Sequence, residues 1–146
     1  MSKVDVIHKL IKSFACWDID SALDLYADNI CLISEFSVPY KVEINGKETF
    51  TELMKAYPDK PKMYENILVK DVIVHQTLNE NVLIAEWTYE TPINDGFVIN
   101  KNIIVVELDE NNKIVKSRDY HNDITRAMAN HNLSTVLENL QNLLPK

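Results

Sequence analysis

Ionisable side chains occupy every second position near the end of KIVKSRDYHNDI, residues 113–124. They are Asp119, His121 and Asp123. Side chains two positions apart on a strand point to the same face, so a strand here would collect a carboxylate and an imidazole on one side. If that face lines an apolar cavity, loss of hydration raises the pKa of the carboxyl group and prepares it for proton transfer near neutral pH. If the face is solvated, the same residues form a polar surface.

The alternation divides the segment into two faces. One face would carry Val115, Ser117, Asp119 and His121, and the other would carry Ile114, Lys116, Arg118 and Tyr120. Because Arg118 then points away from Asp119, it is a poor ion-pair partner for that carboxylate. We interpret Asp119 as the candidate that transfers a proton, with His121 assisting it from hydrogen-bond distance or across one water. The alternative interpretation is that both side chains are structural.

Three helices are predicted in the first part of the chain. Apolar residues recur at three- and four-residue steps over about residues 4–16, which indicates an amphipathic helix. In a second helix, Asp18 or Asp20 can cap the first turn. A third helix begins at a turn containing Gly46 and ends before Pro58. These helices are the elements available to cover one face of a sheet.

Five segments have the pattern of β-strands. They are ICLISEF, NILVKDVIVHQT, NVLIAEWTYET, FVINKNIIVVEL and KIVKSRDYHND. The loops between the last four contain the turn formers Asn, Asp and Gly, which predicts an antiparallel meander. A helical tail follows, in which Ser134 or Thr135 can cap the last segment. Together the patterns predict an α+β domain whose helices cover one face of a curved sheet and leave a pocket against it.

Composition and charge restrict the function classes. At 146 residues and 46% hydrophobic content, the chain is expected to form one domain with a buried core. The net charge of -7, without a cluster of Lys and Arg, argues against nucleic acids and anionic membranes as partners. The first segment of the chain reads as an amphipathic helix rather than a signal peptide or a membrane span.

Cysteine, histidine and glycine give no sign of a cofactor. Cys16 and Cys31 lack a CxxC spacing, and we interpret them as buried free thiols, which indicates a reducing, cytoplasmic location. The scattered His8, His75 and His131 predict no metal site. With only two glycines, the chain has no Gly-rich phosphate-binding loop. We therefore expect neither a metal nor an organic cofactor.

Three stretches carry a resemblance to a known family: DIDSALDLYADN, NGKETF and, above all, NNKIVKSRDYHND. In these stretches the sequence is similar to the SnoaL-like group of the nuclear-transport-factor-2-like superfamily, which includes polyketide cyclases, limonene epoxide hydrolase, ketosteroid isomerases and PhzA/PhzB-type proteins. The resemblance implies a cone-shaped, curved and mostly antiparallel sheet covered by three N-terminal helices. Residues 1–123 would form this domain, and residues 124–146 would be a helical C-terminal extension packed on it.

The resemblance transfers only part of the family's catalytic machinery. It places a proton-handling carboxylate on Asp119, within the RDY of the last strand. The positions where family members carry other catalytic groups hold Leu10, Ser34, Leu53, Glu86, Thr88 and Ile104. Mechanisms that depend on those other groups are therefore not expected in this protein.

A mostly apolar cavity between helices and sheet is expected to bind a small apolar or aromatic molecule. Pattern and resemblance together predict that this ligand contacts Leu10, Phe14, Leu53, Tyr57, Trp87 and Ile104. The register of the strand at residues 82–91 stays open, since either Glu86 and Glu90 or Trp87 and Tyr89 can face the cavity. Trp87 is accordingly a core, dimer or ligand contact.

Two functional interpretations remain. In the first, the protein is a cofactor-free acid/base isomerase, cyclase or hydratase in which Asp119 transfers a proton on a small hydrophobic substrate. In the second, it is a non-catalytic ligand-binding module or a dimeric interaction module. In either case a homodimer is predicted, because Ile103 and Val105 alternate with Lys101 and Glu107 on an outer sheet face that is unusually apolar.

Overall fold

Five helices and six strands build the domain. The computed structural model describes residues 1–146. The helices are α1 (Lys3–Ala15), α2 (Ile19–Leu23), α3 (Lys47–Lys55), α4 (Asp123–Ala129) and α5 (Leu133–Gln141), and a short 3₁₀ helix spans Lys62–Tyr64. The strands are β1 (Tyr26–Ser34), β2 (Val42–Asn45), β3 (Leu68–Gln76), β4 (Val82–Ile93), β5 (Gly96–Leu108) and β6 (Ile114–Tyr120). No helix has the length and apolarity that crossing a membrane requires.

The strands form one open sheet in the order β2-β1-β6-β5-β4-β3. The last four strands in the chain are antiparallel neighbours, so the predicted meander is confirmed. Strand β1 pairs in parallel with β6 and places Ser34 beside Asp119. Strand β2, which the sequence patterns did not predict, pairs antiparallel with β1 at the edge. The α+β class and the mostly antiparallel sheet are confirmed.

Helix α1 packs on the inner face of the sheet. A capping box fixes its start, since Ser2 Oγ accepts the Asp5 N–H and the Asp5 carboxylate accepts the Ser2 N–H. Val6, Ile7 and Leu10 are buried in a cluster of 16 residues that joins the helix to the strands. Full burial of an aliphatic side chain contributes roughly 1.5–3 kcal/mol. The apolar stripe of the first helix is therefore what holds it against the sheet.

The segment after α1 differs from the prediction. Helix α2 has only 5 residues, although its predicted cap is confirmed, because the Asp18 carboxylate accepts the Ser21 N–H. The chain leaves the helix early, and Tyr26 is already the first residue of β1. Trp17 joins α1 to α2 with a φ angle of 57°, a region that bulky residues rarely adopt.

A bulge changes the face assignment at the start of β6. The register with β5 shifts between Ile114 and Lys116, which leaves Val115 as an extra residue. Ile114 is therefore fully buried, and its predicted place on the outer face is wrong. From Lys116 onward the predicted alternation is correct, and Asp119 lies on the inner face.

The helical tail consists of two helices. Asn122 caps α4 by accepting the Ile124 N–H on its side-chain oxygen. Helix α5 begins after Asn132 without a side-chain cap, so the predicted caps Ser134 and Thr135 are wrong. Helix α4 packs against β4 and β5, whereas α5 packs against α4 and has no buried residue. Only the first tail helix therefore contributes to the interior.

The two cysteines are less buried than the sequence suggested. Cys16 follows α1 and is exposed, and Cys31 is half-buried. Cys31 points away from the core because its neighbour Leu32 points into it, and its Sγ lies 3.9 Å from the Glu43 carboxylate. The interpretation of both as buried thiols is wrong, although both are free.

The outer sheet face has the alternation that the sequence predicts. Lys101 and Glu107 are exposed, Val105 is half-buried and Ile103 is 43% exposed. Further exposed apolar side chains lie on the same face: Leu68, Ile73, Phe97 and Ile99. An apolar surface of this kind is typical of interaction sites.

Candidate functional site

A cavity of about 490 Å³ lies between the inner face of the sheet and helices α1, α3 and α4. Of its 25 lining residues, 15 are hydrophobic. Tyr57 is part of the lining and is 54% exposed, so the cavity reaches the surface. Its volume falls in the range of roughly 300–1,000 Å³ that is usual for small-molecule sites.

Most of the residues predicted to contact a ligand line this cavity. They are Leu10, Phe14, Tyr57, Trp87 and Ile104. Leu53 is the exception, because it is 48% exposed and lies outside the lining. Helix α3 turns Phe50 and Met54 towards the sheet and Leu53 towards solvent. The prediction for Leu53 is therefore wrong.

The register of β4 decides which of its side chains face the cavity. Trp87 pairs with Asn102 on β5, and both residues line the cavity together with Tyr89. Glu86 lies on the opposite face, where its carboxylate is 3.1 Å from His75 Nε2. The question that the sequence left open is thus answered in favour of the two aromatic residues.

Aromatic rings form a continuous series along the cavity wall. The ring centroid of Trp17 lies 5.7 Å from that of Tyr57 and 5.0 Å from that of Tyr64. Tyr89 continues the series at 6.2 Å from Tyr64 and 5.8 Å from Trp87. The indole Nε1 of Trp87 is buried and has no hydrogen-bond partner. Buried donors are normally paired, and the Trp87 side chain interacts with the Tyr89 phenol, whose pKa it acts to lower.

Asp119 lies at the wall of the cavity between β1 and β5. Ser117 Oγ donates a hydrogen bond of 2.9 Å to its Oδ1. Desolvation raises the pKa of Asp119, although the Ser117 hydrogen bond and the electrostatic effects of His121 and Arg126 act in the opposite direction. The carboxyl group therefore holds its proton to a higher pH than an ordinary aspartic acid does.

His121 lines the cavity but contacts other groups. Its Nε2 lies 2.9 Å from Asp123 Oδ1 and 2.7 Å from Arg126 Nη1. It makes no direct hydrogen bond to Asp119. The reason is that β6 ends at Tyr120, so the chain is already turning into α4 where His121 leaves the alternation of the strand.

His121 Nε2 cannot accept a hydrogen bond from Arg126 and donate one to Asp123 at the same time. Without a proton, Nε2 accepts from Arg126; with a proton, it donates to Asp123. Partial burial acts to raise the pKa of Asp123, but the hydrogen bonds from His121 and from the Val38 N–H outweigh it and lower that pKa. Asp123 is therefore ionised at neutral pH, and the proton on Nε2 decides whether Arg126 is bonded to the imidazole.

Buried tyrosines supply further hydrogen-bond donors. Burial raises the pKa values of Tyr26, Tyr64 and Tyr89, all of which line the cavity. The charge of Arg126 offsets part of this effect at Tyr64. The three phenols are therefore neutral at physiological pH and keep their O–H groups.

The sequence analysis missed the residues that the C-terminal segment contributes. Arg126, Asn130 and Asn132 line the cavity. A signal was available in Asn122, which is a strong helix N-cap directly after the last strand. A helix that begins there carries the side chain at 126 one turn beyond the strand end. Which surface that helix covers depends on the curvature of the sheet, and no local pattern gives that curvature.

Chemically, the arrangement can transfer a proton and donate hydrogen bonds. The candidate proton carrier is the Asp119 carboxyl group, and the candidate donors are tyrosine and arginine groups. No group of three or more His, Cys, Asp or Glu side chains is placed to hold a metal ion.

Comparisons with known proteins identify the fold. No protein-family model and no curated protein matches the sequence. Among solved structures, a candidate isomerase from Bacillus subtilis gives a TM-score of 0.67 at 21% identity, covering 90% of this chain and 97% of that one. An NTF-2 like protein of unknown function from Burkholderia xenovorans gives a TM-score of 0.58 at 19% identity, covering 82% of this chain and 81% of that one.

A third structure contains a ligand. RV0760c from Mycobacterium tuberculosis, in complex with estradiol-17beta-hemisuccinate, gives a TM-score of 0.59 at 15% identity, covering 84% of this chain and 95% of that one. Similarity at these identities defines the fold and leaves the activity open. The chain therefore has the nuclear-transport-factor-2-like fold, as the resemblance in its sequence implied.

Proposed function

We propose that the protein binds a small apolar or aromatic molecule in this cavity and acts on it by cofactor-free acid/base catalysis, as an isomerase, cyclase or hydratase. The observation that carries the proposal is the position of Asp119, a carboxyl group at the wall of a mostly apolar cavity where desolvation raises its pKa. General acids and bases work best when their pKa lies close to the operating pH. Burial raises the pKa of Asp119 and so brings it closer to neutral pH.

An isomerisation illustrates the proton path. The ionised Asp119 removes a proton from the carbon between a carbonyl group and a C=C bond of the ligand, and the electron pair of that C–H bond moves towards the carbonyl oxygen to give a conjugated enolate. The Tyr89 O–H, which lines the cavity, donates a hydrogen bond to this oxygen. Asp119 then returns the proton to a different carbon, which restores its carboxylate. His121 assists through its electrostatic effect on Asp119.

The ligand class is supported by the cavity wall and by the fold comparisons. Mostly hydrophobic lining favours an apolar ligand, and the aromatic series from Trp17 to Trp87 offers ring faces and edges for stacking. RV0760c has the same fold and was solved with a steroid ester, and the Bacillus subtilis neighbour is a candidate isomerase. These observations support a small organic ligand.

Deuterium exchange of 2-tetralone in D₂O tests this function without knowledge of the natural substrate. The probe is a bicyclic ketone with acidic C–H groups, and ¹H NMR follows the loss of those signals. We expect the wild-type protein to accelerate exchange and Asp119→Asn to reduce the acceleration by roughly 100- to 10,000-fold. Asp95→Asn, on an exposed loop, is the matched control and should exchange like wild type. Equal rates for wild type and Asp119→Asn would contradict the catalytic role.

A second candidate is a binding module without chemistry. It is favoured by one observation: His121 is bonded to Asp123 and Arg126, so the only hydrogen-bond partner of the Asp119 side chain is Ser117. The same experiment separates the two candidates. A binding module would bind 2-tetralone, with shifted protein NMR signals, and leave its exchange rate unchanged.

The proposal includes a homodimer and a cytoplasmic location. The exposed apolar side chains of the outer sheet face support the dimer. Free Cys16 and Cys31 fit a reducing compartment, since oxidising compartments favour disulfides.

A further inference from the structure

Arg126 is a charged side chain inside the cavity without an ion-pair partner. Helix α4 positions it, in the part of the chain that the family resemblance does not cover. Its guanidinium is hydrogen bonded to His121 Nε2 and to the Tyr64 side chain. A guanidinium has five N–H donors, so most of its capacity is unused.

The nearby carboxylates do not neutralise Arg126 directly. Its charge acts to lower the pKa values of both Asp119 and Asp123. Neither carboxylate forms an ion pair with it, and each is held by other donors: Ser117 bonds Asp119, whereas Val38 and His121 bond Asp123. A partly buried guanidinium is stabilised when an anion accepts its N–H groups. The cavity has the room for that anion.

We propose that the ligand of this cavity carries a carboxylate and that Arg126 binds it. The inference rests on the proposed function, since it takes the cavity as the ligand site and adds a chemical group to the ligand. The apolar body of the ligand lies against the aromatic wall, and its carboxylate accepts N–H groups from the guanidinium fork. The ligand is thereby oriented at one end while Asp119 acts at another position.

His121 positions Arg126 for this role. When Nε2 carries no proton, it accepts a hydrogen bond from Arg126 and occupies one of the guanidinium donors. When Nε2 carries a proton, it donates to Asp123 and releases that donor to the ligand. Binding of a carboxylate should therefore be accompanied by a proton on His121 Nε2. Asp123 then keeps its hydrogen-bond donor, and Arg126 gains an anion.

A matched pair of probes tests the inference by isothermal titration calorimetry. 2-Naphthoate carries a carboxylate, and 2-naphthalenemethanol has the same ring system without a charge. We expect wild type to bind the acid about 10- to 100-fold more tightly, the factor that one charged hydrogen-bond pair supplies. Arg126→Gln should lose this preference and still bind the alcohol. Arg118→Gln is the matched control, since Arg118 is the only other arginine and lies on the outer face.

Two further measurements guard against a variant that folds poorly. Arg126→Lys keeps the charge without the fork and should retain an intermediate preference. In wild type, ¹H–¹⁵N spectra resolve the Nε–H signals of only two arginines, and 2-naphthoate should shift the one that Arg118→Gln leaves in place. 2-Naphthalenemethanol should not shift it.

Three results would overturn the inference. Equal affinity of wild type for the two probes would mean that the ligand needs no carboxylate. The proposal of an apolar ligand site would be unaffected. A preference for the acid that persists in Arg126→Gln would place the carboxylate elsewhere. Binding of neither probe would count against both the inference and the proposed function.

Discussion

Two histidine–carboxylate pairs lie on opposite faces of the same sheet. His121 and Asp123 are 2.9 Å apart at the cavity, with side chains 9% and 23% exposed. His75 and Glu86 are 3.1 Å apart on the outer face, with both side chains 48% exposed. Residue types and distances are therefore almost the same. The pairs differ in burial and in a third group, because Arg126 contacts only the inner pair.

The comparison shows that the environment gives ionisable residues their chemical role. Water screens the outer pair, and pairs of that kind contribute roughly 0–1 kcal/mol. The inner pair is mostly buried, so each of its interactions is less screened and each missing partner matters more. The pKa of Asp119 is raised and that of Asp123 is lowered for this reason, although both belong to one short segment.

Disruption of the outer face should give the largest effect if that face is a dimer interface. Phe97→Lys places a charge among its exposed apolar residues, opposite Pro92 within one protomer. An uncompensated charge in an interface costs roughly 2–5 kcal/mol, so the dimer should dissociate at micromolar concentration. Sedimentation equilibrium should give twice the chain mass of 16.9 kDa for wild type and a single chain mass for the variant. Leu78→Lys, on an exposed loop, is the control. A wild-type protein that sediments as a single chain would contradict the predicted dimer.

Removal of the acid from each histidine pair should lower stability by different amounts. Asp123→Ala leaves His121 and the Val38 N–H without their partner, and we expect it to lower the free energy of unfolding by about 1.5–3 kcal/mol at pH 7. Glu86→Ala, the matched change on the outer face, should lower it by about 0–1 kcal/mol. Urea unfolding measures both. Equal losses would mean that burial does not distinguish the two pairs.

The loss caused by Asp123→Ala should depend on pH. A carboxyl group whose pKa is lowered in the folded state stabilises the fold above its unfolded value of 3.8, and this contribution disappears as the pH falls through the folded value. Wild type and variant should therefore differ most at neutral pH and approach each other below pH 3.8. A difference that grows on acidification would contradict the assignment.

Asp119→Asn should raise the free energy of unfolding, and by less than Asp123→Ala lowers it. A raised pKa means that folding favours the protonated form, so ionisation destabilises the fold as the pH rises from the unfolded value of 3.8 through the folded value. Asparagine resembles the protonated acid and can still accept the Ser117 hydrogen bond. The variant should gain on the order of 1 kcal/mol at pH 7 and nothing at low pH. Urea unfolding at the two pH values gives the answer.

Local patterns were sufficient to predict most of the fold. The meander from β3 to β6 followed from strand periodicity and turn residues, and α1 from its apolar spacing, because each signal lies within a few consecutive residues. The same holds for Asp119, whose inward direction follows from alternation along β6. The pocket followed from the same patterns, and pattern and resemblance together gave most of its lining residues.

Long-range geometry accounts for the parts that could not be predicted. The parallel pairing of β1 with β6 joins segments far apart in the sequence, and the bulge at Val115 appears only when β6 is paired with β5. Leu53 was misplaced because its exposure depends on how α3 is rotated against the sheet. Arg126 was missed because the packing of α4 across the cavity decides its role.

The central claim is that the inner face gives Asp119 a raised pKa, and a titration of its side-chain carbon measures this directly. ¹³C NMR of the protein labelled at aspartate carboxyl groups, with the signal assigned by its absence in Asp119→Asn, gives the value in the native state. We expect a midpoint clearly above 3.8 for Asp119. In the same spectra we expect a midpoint below 3.8 for Asp123. A midpoint for Asp119 at or below 3.8 would contradict the claim that the cavity makes this carboxyl group a proton carrier.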